Sequence, residues 1–153
     1  MAVILDTQVP KDDPGPRAEC FEQAVSLAAA AGEYLARQEY IVDIFAAGPH
    51  LYHLVAGRSL AYLDQILDIL ACVESTQAEP FEILAPELSA HLAQISAVVC
   101  IFLDWNDTRR QFVRHLQEHG VGVKVIVVSE DVKSAGEHRI VSARAVEAGL
   151  GEL

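Results

Sequence analysis

The chain has 153 residues, of which 52% are hydrophobic and 22% are charged, and its formal net charge is −11. The apolar fraction is high enough to form a core, which excludes a disordered chain, and the length fits one domain over residues 1–153. Such an acidic surface repels phosphates and anionic lipids, so we expect no nucleic acid partner and no direct membrane contact.

The first predicted strand is a short apolar run, Ala2–Leu5, which ends in Asp6. A continuous apolar run of this length is typical of a strand buried on both faces. Residues 7–17 contain three prolines and a glycine, which predicts a loop. Apolar residues then recur at helical spacing from Phe21 to Leu35 and predict an amphipathic helix.

Two further strands are predicted over residues 40–47 and 50–56. Only Gly48-Pro49 separates them, which is too little chain for a crossover helix, so we expect an antiparallel hairpin. Ser59 is a candidate cap for the next helix, which has an apolar stripe from Leu60 to Val73.

The second half of the sequence continues the alternation of helices and strands. Pro86 suits the first turn of a short helix, and the apolar run Ala97–Leu103 predicts a strand. Thr108 with Gln111 matches a capping box for a helix that we expect to stop at Gly120. A last clear strand over 121–128 follows, then a short strand near Ile140 and a helical turn over 142–148.

Buried strands that alternate with amphipathic helices predict a mostly parallel sheet, and right-handed crossovers place helices on both of its faces. The predicted fold class is therefore α/β: a three-layer, doubly wound, Rossmann-like sheet with one antiparallel edge strand. Ligands of such sheets bind beyond the carboxyl ends of the strands, where the strand order reverses.

Two acidic residues are candidates for a site at that edge. Asp6 ends the first strand and Asp104 ends the fourth, and Thr76 lies in the loop before the short helix. Carboxylate and hydroxyl oxygens suit Mg²⁺, Ca²⁺ or Mn²⁺. Alternatively, the two carboxylates accept hydrogen bonds from backbone N–H groups and bind no ion.

Five segments carry a resemblance to a known family. They are Val3-Ile4-Leu5-Asp6-Thr7, Phe21-Glu22-Gln23-Ala24-Val25-Ser26-Leu27-Ala28, Ala47-Gly48-Pro49, Gly57-Arg58-Ser59 and Val98 to Trp105. In their order and spacing they span nearly the whole chain. The sequence resembles the C-terminal part of a bacterial family called domain of unknown function 58, which contains a von Willebrand factor A-like domain.

The resemblance implies a von Willebrand factor A-type fold and a partner. Members of that family carry the domain after membrane-spanning segments and are encoded near MoxR-type AAA ATPases. The resemblance therefore implies a cytoplasmic protein-interaction module that works with an ATPase in the assembly or maturation of other proteins. Residues 1–153 are then either a minimal domain or a fragment of a longer protein anchored to the inner membrane.

The metal site that the resemblance implies is degenerate in this sequence. A metal-competent von Willebrand factor A domain has Asp-x-Ser-x-Ser after the first strand, a later Thr and an Asp after the fourth strand. Here Gln8 and Pro10 replace the two serines. We therefore expect no cofactor. If Mg²⁺ or Mn²⁺ does bind, as in the alternative of a metal-dependent ligand-binding domain, its ligands are Asp6, Thr76 and Asp104.

We predict that a binding rim at the strand ends takes the place of the metal site. It is formed by Asp6, Gln8, Thr76, Asp104, Trp105 and Asp107. The sequence has neither a Gly-rich phosphate loop after the first strand nor a G-x-S-x-G motif, so we expect no enzymatic activity.

Several other polar and thiol residues have plain structural interpretations. Arg109 and Arg110 are predicted to be solvated helix residues, and His115 to His119, which spells H-x-x-E-H, to be the exposed end of the same helix. Cys72 and Cys100 lie in apolar segments and are predicted to be buried free thiols of a reducing compartment.

Overall fold

The computed structural model describes residues 1–9, 14–55, 63–129 and 139–141. Within these ranges the strands are β1 (Ala2–Leu5), β2 (Asp43–Ala47), β3 (Leu51–Val55), β4 (Ala97–Phe102), β5 (Gly122–Val128) and β6 (Arg139–Val141). The helices are α1 (Pro14–Arg37), α2 (Leu63–Cys72), α3 (Phe81–His91) and α4 (Asp107–Glu118), and a 3-10 turn at Leu92–Gln94 follows α3.

The strands form one six-stranded sheet in the order β3-β2-β1-β4-β5-β6. All neighbouring strands are parallel except β2 and β3, which form an antiparallel hairpin. The predicted mostly parallel α/β sheet with one antiparallel edge strand is thereby confirmed. The strands β2 and β3 lie on one side of β1, and β4, β5 and β6 lie on its other side. The strand order therefore reverses between the two central strands, β1 and β4.

Alternating side chains of β1 enter two separate cores. Val3 and Leu5 pack with α1 and α2 on one face, whereas Ala2 and Ile4 pack with α3 and α4 on the other. All four are fully buried, which accounts for the continuous apolar run in the sequence. The same alternation places the next residue of this series, Asp6, toward the α3 and α4 side.

Gly48 sets the position of the loop that follows α2. A Cβ atom at Gly48 would lie 2.4 Å from the carbonyl oxygen of Glu74, so a side chain there would push this loop away from the sheet. The Gly48 N–H donates to the carbonyl oxygen of His50 (2.9 Å) within the hairpin turn. The glycine thus allows the backbone of Glu74 to lie close to the carboxyl end of β2.

Three predicted helix starts were wrong. The helix α1 begins at Pro14, inside the predicted loop over residues 7–17, because a proline in the first turn of a helix costs no intrahelical hydrogen bond. The helix α3 begins at Phe81 after Pro80, and Pro86 lies inside it, because the buried stripe of Phe81, Leu84 and Leu88 outweighs the lost backbone hydrogen bond. The cap of α4 is Asn106, whose side chain accepts from the Arg109 N–H (3.1 Å), and not Thr108.

The other predicted elements that lie in the described ranges are present. Gly120 ends α4 with a left-handed φ of 78°, as predicted. The Ser59 cap and the helical turn over 142–148 lie outside the described residues. None of the described helices combines the length and the apolar composition that crossing a lipid bilayer requires.

The three cysteines differ in burial. Cys72 is exposed on α2, contrary to the prediction, because the buried stripe of that helix runs through Ile66 and Leu70. Cys20 and Cys100 are buried, and burial raises the pKa of the Cys100 thiol because it disfavours the thiolate.

In the folded protein, Cys72 should therefore react rapidly with Ellman's reagent, and Cys20 and Cys100 should react only after denaturation. A thiol titration with and without guanidinium chloride measures this directly. A native protein in which all three thiols react at the rate of Cys72 would contradict the described packing.

Candidate functional site

Asp6 is fully buried where β1 ends, between the ends of its two neighbouring strands. Its N–H donates to the Ile101 carbonyl oxygen (2.9 Å) and continues the pairing with β4. Its carboxylate accepts from the backbone N–H groups of Gln8 (3.0 Å) and Leu103 (3.1 Å). The carboxylate therefore fixes the paths of both chain segments as they leave the sheet.

The charge of Asp6 is balanced by Arg109, which projects from the first turn of α4 and is 1% exposed. The Arg109 Nη2 lies 2.9 Å and 3.0 Å from the two carboxylate oxygens of Asp6, and its Nε lies 3.2 Å from Oδ2. Both carboxylate oxygens thus contact the guanidinium. Charge-assisted hydrogen bonds from two guanidinium nitrogens to one carboxylate are stronger than bonds between neutral groups.

The guanidinium makes further contacts beyond Asp6. The Arg109 Nη1 donates to Glu79 (3.1 Å) and Nη2 donates to the Gln8 side-chain oxygen (2.9 Å). One face of the guanidinium lies 5.0 Å from the centre of the Phe81 ring, within the range of a cation–π contact. Arg109 therefore joins β1, the loop before α3 and the start of α3 to α4.

Gln8 and Thr76 lie side by side above this ion pair. Their backbones form a short parallel bridge, in which the Val9 N–H donates to the Thr76 carbonyl oxygen and the Thr76 N–H to that of Thr7, each at 2.8 Å. The Thr76 hydroxyl accepts from the Ala78 N–H (3.2 Å) within its own loop. The structure thus brings Thr76 to the Asp6 segment, as predicted.

Asp104 follows β4, the strand next to β1, but its counterion is a different arginine from that of Asp6. One oxygen accepts from the Trp105 N–H (2.7 Å), and the other lies 3.9 Å from Arg17 of α1. The side chain of Asp104 is 29% exposed. The two carboxylates that were predicted to share one crevice therefore have separate counterions, one buried and one near the solvent.

The outer part of the rim is formed by Trp105 and Asp107. Trp105 is half-buried, and its ring stacks on Phe102 at a centroid distance of 6.0 Å, with the Arg110 guanidinium 6.0 Å from the indole. Asp107 is 86% exposed at its side chain and pairs with Arg110 (2.7 Å). The predicted rim residues thus divide into a buried part at Asp6 and an accessible part at Asp104, Trp105 and Asp107.

The prediction that Arg109 is a solvated helix residue was wrong, since its side chain is buried. A signal was present: Arg109 lies three and four positions before Phe112 and Val113 and therefore belongs to the buried stripe of α4. Arg110 is exposed, as predicted.

The two histidines of the H-x-x-E-H segment lie at the end of α4. His115 is half-exposed and His119 is exposed, and the His119 Nδ1 lies 2.8 Å from the His115 carbonyl oxygen.

The comparisons with known proteins add no family. A scan against protein-family models finds no match, and neither does a search of curated proteins. The resemblance to domain of unknown function 58 therefore stays a prediction that depends on the residues quoted above.

Replacement of Arg109 by Ala should lower the free energy of unfolding by about 3–5 kcal/mol, because it leaves the Asp6 carboxylate buried without a counterion. The matched control is Arg110→Ala on the same helix turn, which removes an exposed ion pair worth at most about 1 kcal/mol. Urea denaturation followed by circular dichroism measures both variants. Equal stabilities for the two would show that Arg109 does not balance a buried charge.

Proposed function

We propose that this chain is a non-enzymatic protein-interaction domain of the von Willebrand factor A type, with a degenerate metal-ion-dependent adhesion site. It would act in the bacterial cytoplasm with a MoxR-type AAA ATPase in the assembly or maturation of other proteins. The observation that carries the proposal is the contact of the Arg109 guanidinium with both carboxylate oxygens of Asp6.

Arg109 supplies the positive charge that a divalent ion would supply at this place. A cation bound to Asp6 would lie against the guanidinium and would have to displace its bonds to Asp6 and Gln8. Mg²⁺ needs near-ideal octahedral geometry from oxygen ligands, which these occupied oxygens do not offer. The occupied oxygens therefore favour the degenerate site over the alternative, a Mg²⁺- or Mn²⁺-dependent ligand-binding domain.

The same ion pair argues against acid–base catalysis at the rim. A general acid or base must exchange a proton with a bound reactant. Both oxygens of Asp6 are already bound by Arg109 and by backbone N–H groups, and the side chain is fully buried. Asp6 therefore serves to hold the strand ends in place.

The partner would be recognised by the accessible part of the rim. Asp104 and Asp107 are acidic and partly or largely exposed, and Trp105 between them offers apolar area. Aromatic residues dominate the binding energy of many interfaces, and charges at the edge of an interface direct association. The net charge of −11 favours a basic surface on the ATPase.

The double variant Asp104→Ala with Trp105→Ala should weaken binding to the cognate ATPase by at least about tenfold, because it removes an interface anchor and a charge. Surface plasmon resonance measures the Kd. The control, Leu67→Ala with Asp68→Ala on the exposed face of α2, makes the same charge change away from the rim and should bind normally. Unchanged binding by the rim variant would exclude the rim as the contact surface.

Millimolar Mg²⁺ should leave the melting temperature of the wild-type protein unchanged. An ion that binds only the folded state at a hundred times its Kd would add about 2.7 kcal/mol of stability, which a thermal melt detects easily. A saturable increase that Asp104→Ala removes would contradict the proposal and favour the metal-dependent alternative.

A further inference from the structure

Three metal-ligating side chains meet far from the rim, at the edge of the sheet. His53 lies in the middle of the edge strand β3, and Glu87 and His91 lie one turn apart on α3. A carboxylate oxygen of Glu87 is 3.5 Å from the His53 Nδ1 and 3.7 Å from the His91 Nε2. One ligand atom from each residue lies within 4.8 Å of the other two.

The fold holds these side chains in place without needing them for its core. His53 pairs with Phe45 across the hairpin, and its ring stacks on the Phe45 ring at 4.2 Å with an interplanar angle of 15°. The His53 and His91 rings are 4.6 Å apart. Packing against a buried Phe45 thus fixes the imidazole of His53 opposite the last turn of α3.

The distances suit a shared ion better than direct hydrogen bonds. Charge-assisted hydrogen bonds between nitrogen and a carboxylate are about 2.7–2.9 Å long, which is shorter than either contact of Glu87. Ligand atoms placed tetrahedrally around Zn²⁺, with bonds near 2.0–2.1 Å, are about 3.3–3.4 Å apart. The three ligand atoms lie within 4.8 Å of one another, so an inward movement of the side chains would place them at three of the four positions of a tetrahedral site.

Polar groups at this hairpin are also incompletely satisfied. Among the described residues, the buried side-chain atoms without a hydrogen-bond partner are the His53 Nε2 and the Asp43 Oδ1, and both belong to the β2–β3 hairpin. Coordination through the His53 Nδ1 would place the ring proton on Nε2, and the ion would not satisfy that group. The nitrogen that remains for an ion is then the one that already faces Glu87. The site is therefore supported by the distances from Glu87 and not by the unpartnered Nε2.

We propose that His53, Glu87 and His91 bind one divalent transition-metal ion of the Zn²⁺ class. Two imidazoles and one carboxylate are a known ligand set for zinc, and they disfavour Mg²⁺ and Ca²⁺, which prefer oxygen ligands alone. Three protein ligands leave a fourth position for water. The side chains of His53, Glu87 and His91 are 16%, 38% and 32% exposed, so an ion can reach the site from solvent.

Bound metal would join the edge strand β3 to α3, the helix that packs on the neighbouring strand β2. Among the described strands, β3 pairs with β2 only, since β3 is the last strand of the order. An ion held by His53 from β3 and by Glu87 and His91 from α3 would cross-link the two elements. This site is independent of the rim, because His91 and the Phe81 that contacts Arg109 lie at opposite ends of α3, about 15 Å apart along its axis.

The test is titration of the metal-free full chain with Zn²⁺ by calorimetry, and with Co²⁺ by visible absorption. A Cys72→Ser background removes the exposed thiol that would otherwise compete. We expect one high-affinity site, tetrahedral Co²⁺ bands and a higher melting temperature with Zn²⁺. Replacing a residue that only hydrogen-bonds to a metal ligand commonly weakens metal binding about 10–100-fold. The variants His91→Ala and Glu87→Gln each remove a ligand itself, so each should weaken Zn²⁺ binding at least about tenfold.

The chain offers a matched control in His115 and His119, a second histidine pair one turn apart on α4 with rings 4.4 Å apart. The variant His119→Ala should leave the Zn²⁺ affinity unchanged. Circular dichroism confirms that each variant is folded, and Glu87→Gln preserves the size of the side chain if His91→Ala is unstable. Absence of a one-to-one site, or loss of binding in His119→Ala but not in Glu87→Gln, would overturn the proposal.

Discussion

The arrangement of the strand ends depends on one buried ion pair. Asp6 is fully buried and Arg109 is 1% exposed, so neither charge could remain there without the other. Asp6 holds the backbone beyond β1 and β4 through two N–H groups, and Arg109 adds Gln8, Glu79 and the Phe81 ring. Helix α4, the loop before α3 and the two central strands are therefore held together at this pair.

This pair occupies the place at which doubly wound sheets usually bind a ligand. The strand order reverses between β1 and β4, and the crevice beyond that point is the common binding position in this fold class. In this protein the Arg109 side chain occupies that position and pairs with Asp6. The acidic and aromatic groups that remain accessible lie farther out, which is why we propose recognition of a protein surface and not of a small ion.

Much of the fold could be predicted because its signals are local. The buried strand Ala2–Leu5 and the hairpin at Gly48-Pro49 follow from short patterns of apolar residues and turn residues, and the structure contains both. The beginning of α3 could not be read in the same way. Pro86 is favoured at the start of a helix, but tertiary packing of Phe81 and Leu84 extends the helix before it.

The candidate sites were harder to predict because they are made by distant residues. Asp6 was found from its place after a buried strand, but its partner Arg109 is 103 positions away and resembles an ordinary surface residue. His53 meets Glu87 and His91 only because α3 packs over the β2–β3 hairpin, and no local pattern encodes that register. The strand ends could be located from the sequence, but the residues that pair with Asp6 and Asp104 there could not be identified from it.

The most direct measurement is anomalous diffraction from a crystal of the wild-type protein soaked in Mn²⁺. We expect electron density that places the Arg109 guanidinium within hydrogen-bond distance of the Asp6 carboxylate, and no anomalous peak beside Asp6. A peak between His53, Glu87 and His91 would concern only the second site. A Mn²⁺ peak bound to Asp6, with the Arg109 side chain displaced, would show that this position binds a metal ion and that Arg109 does not replace it.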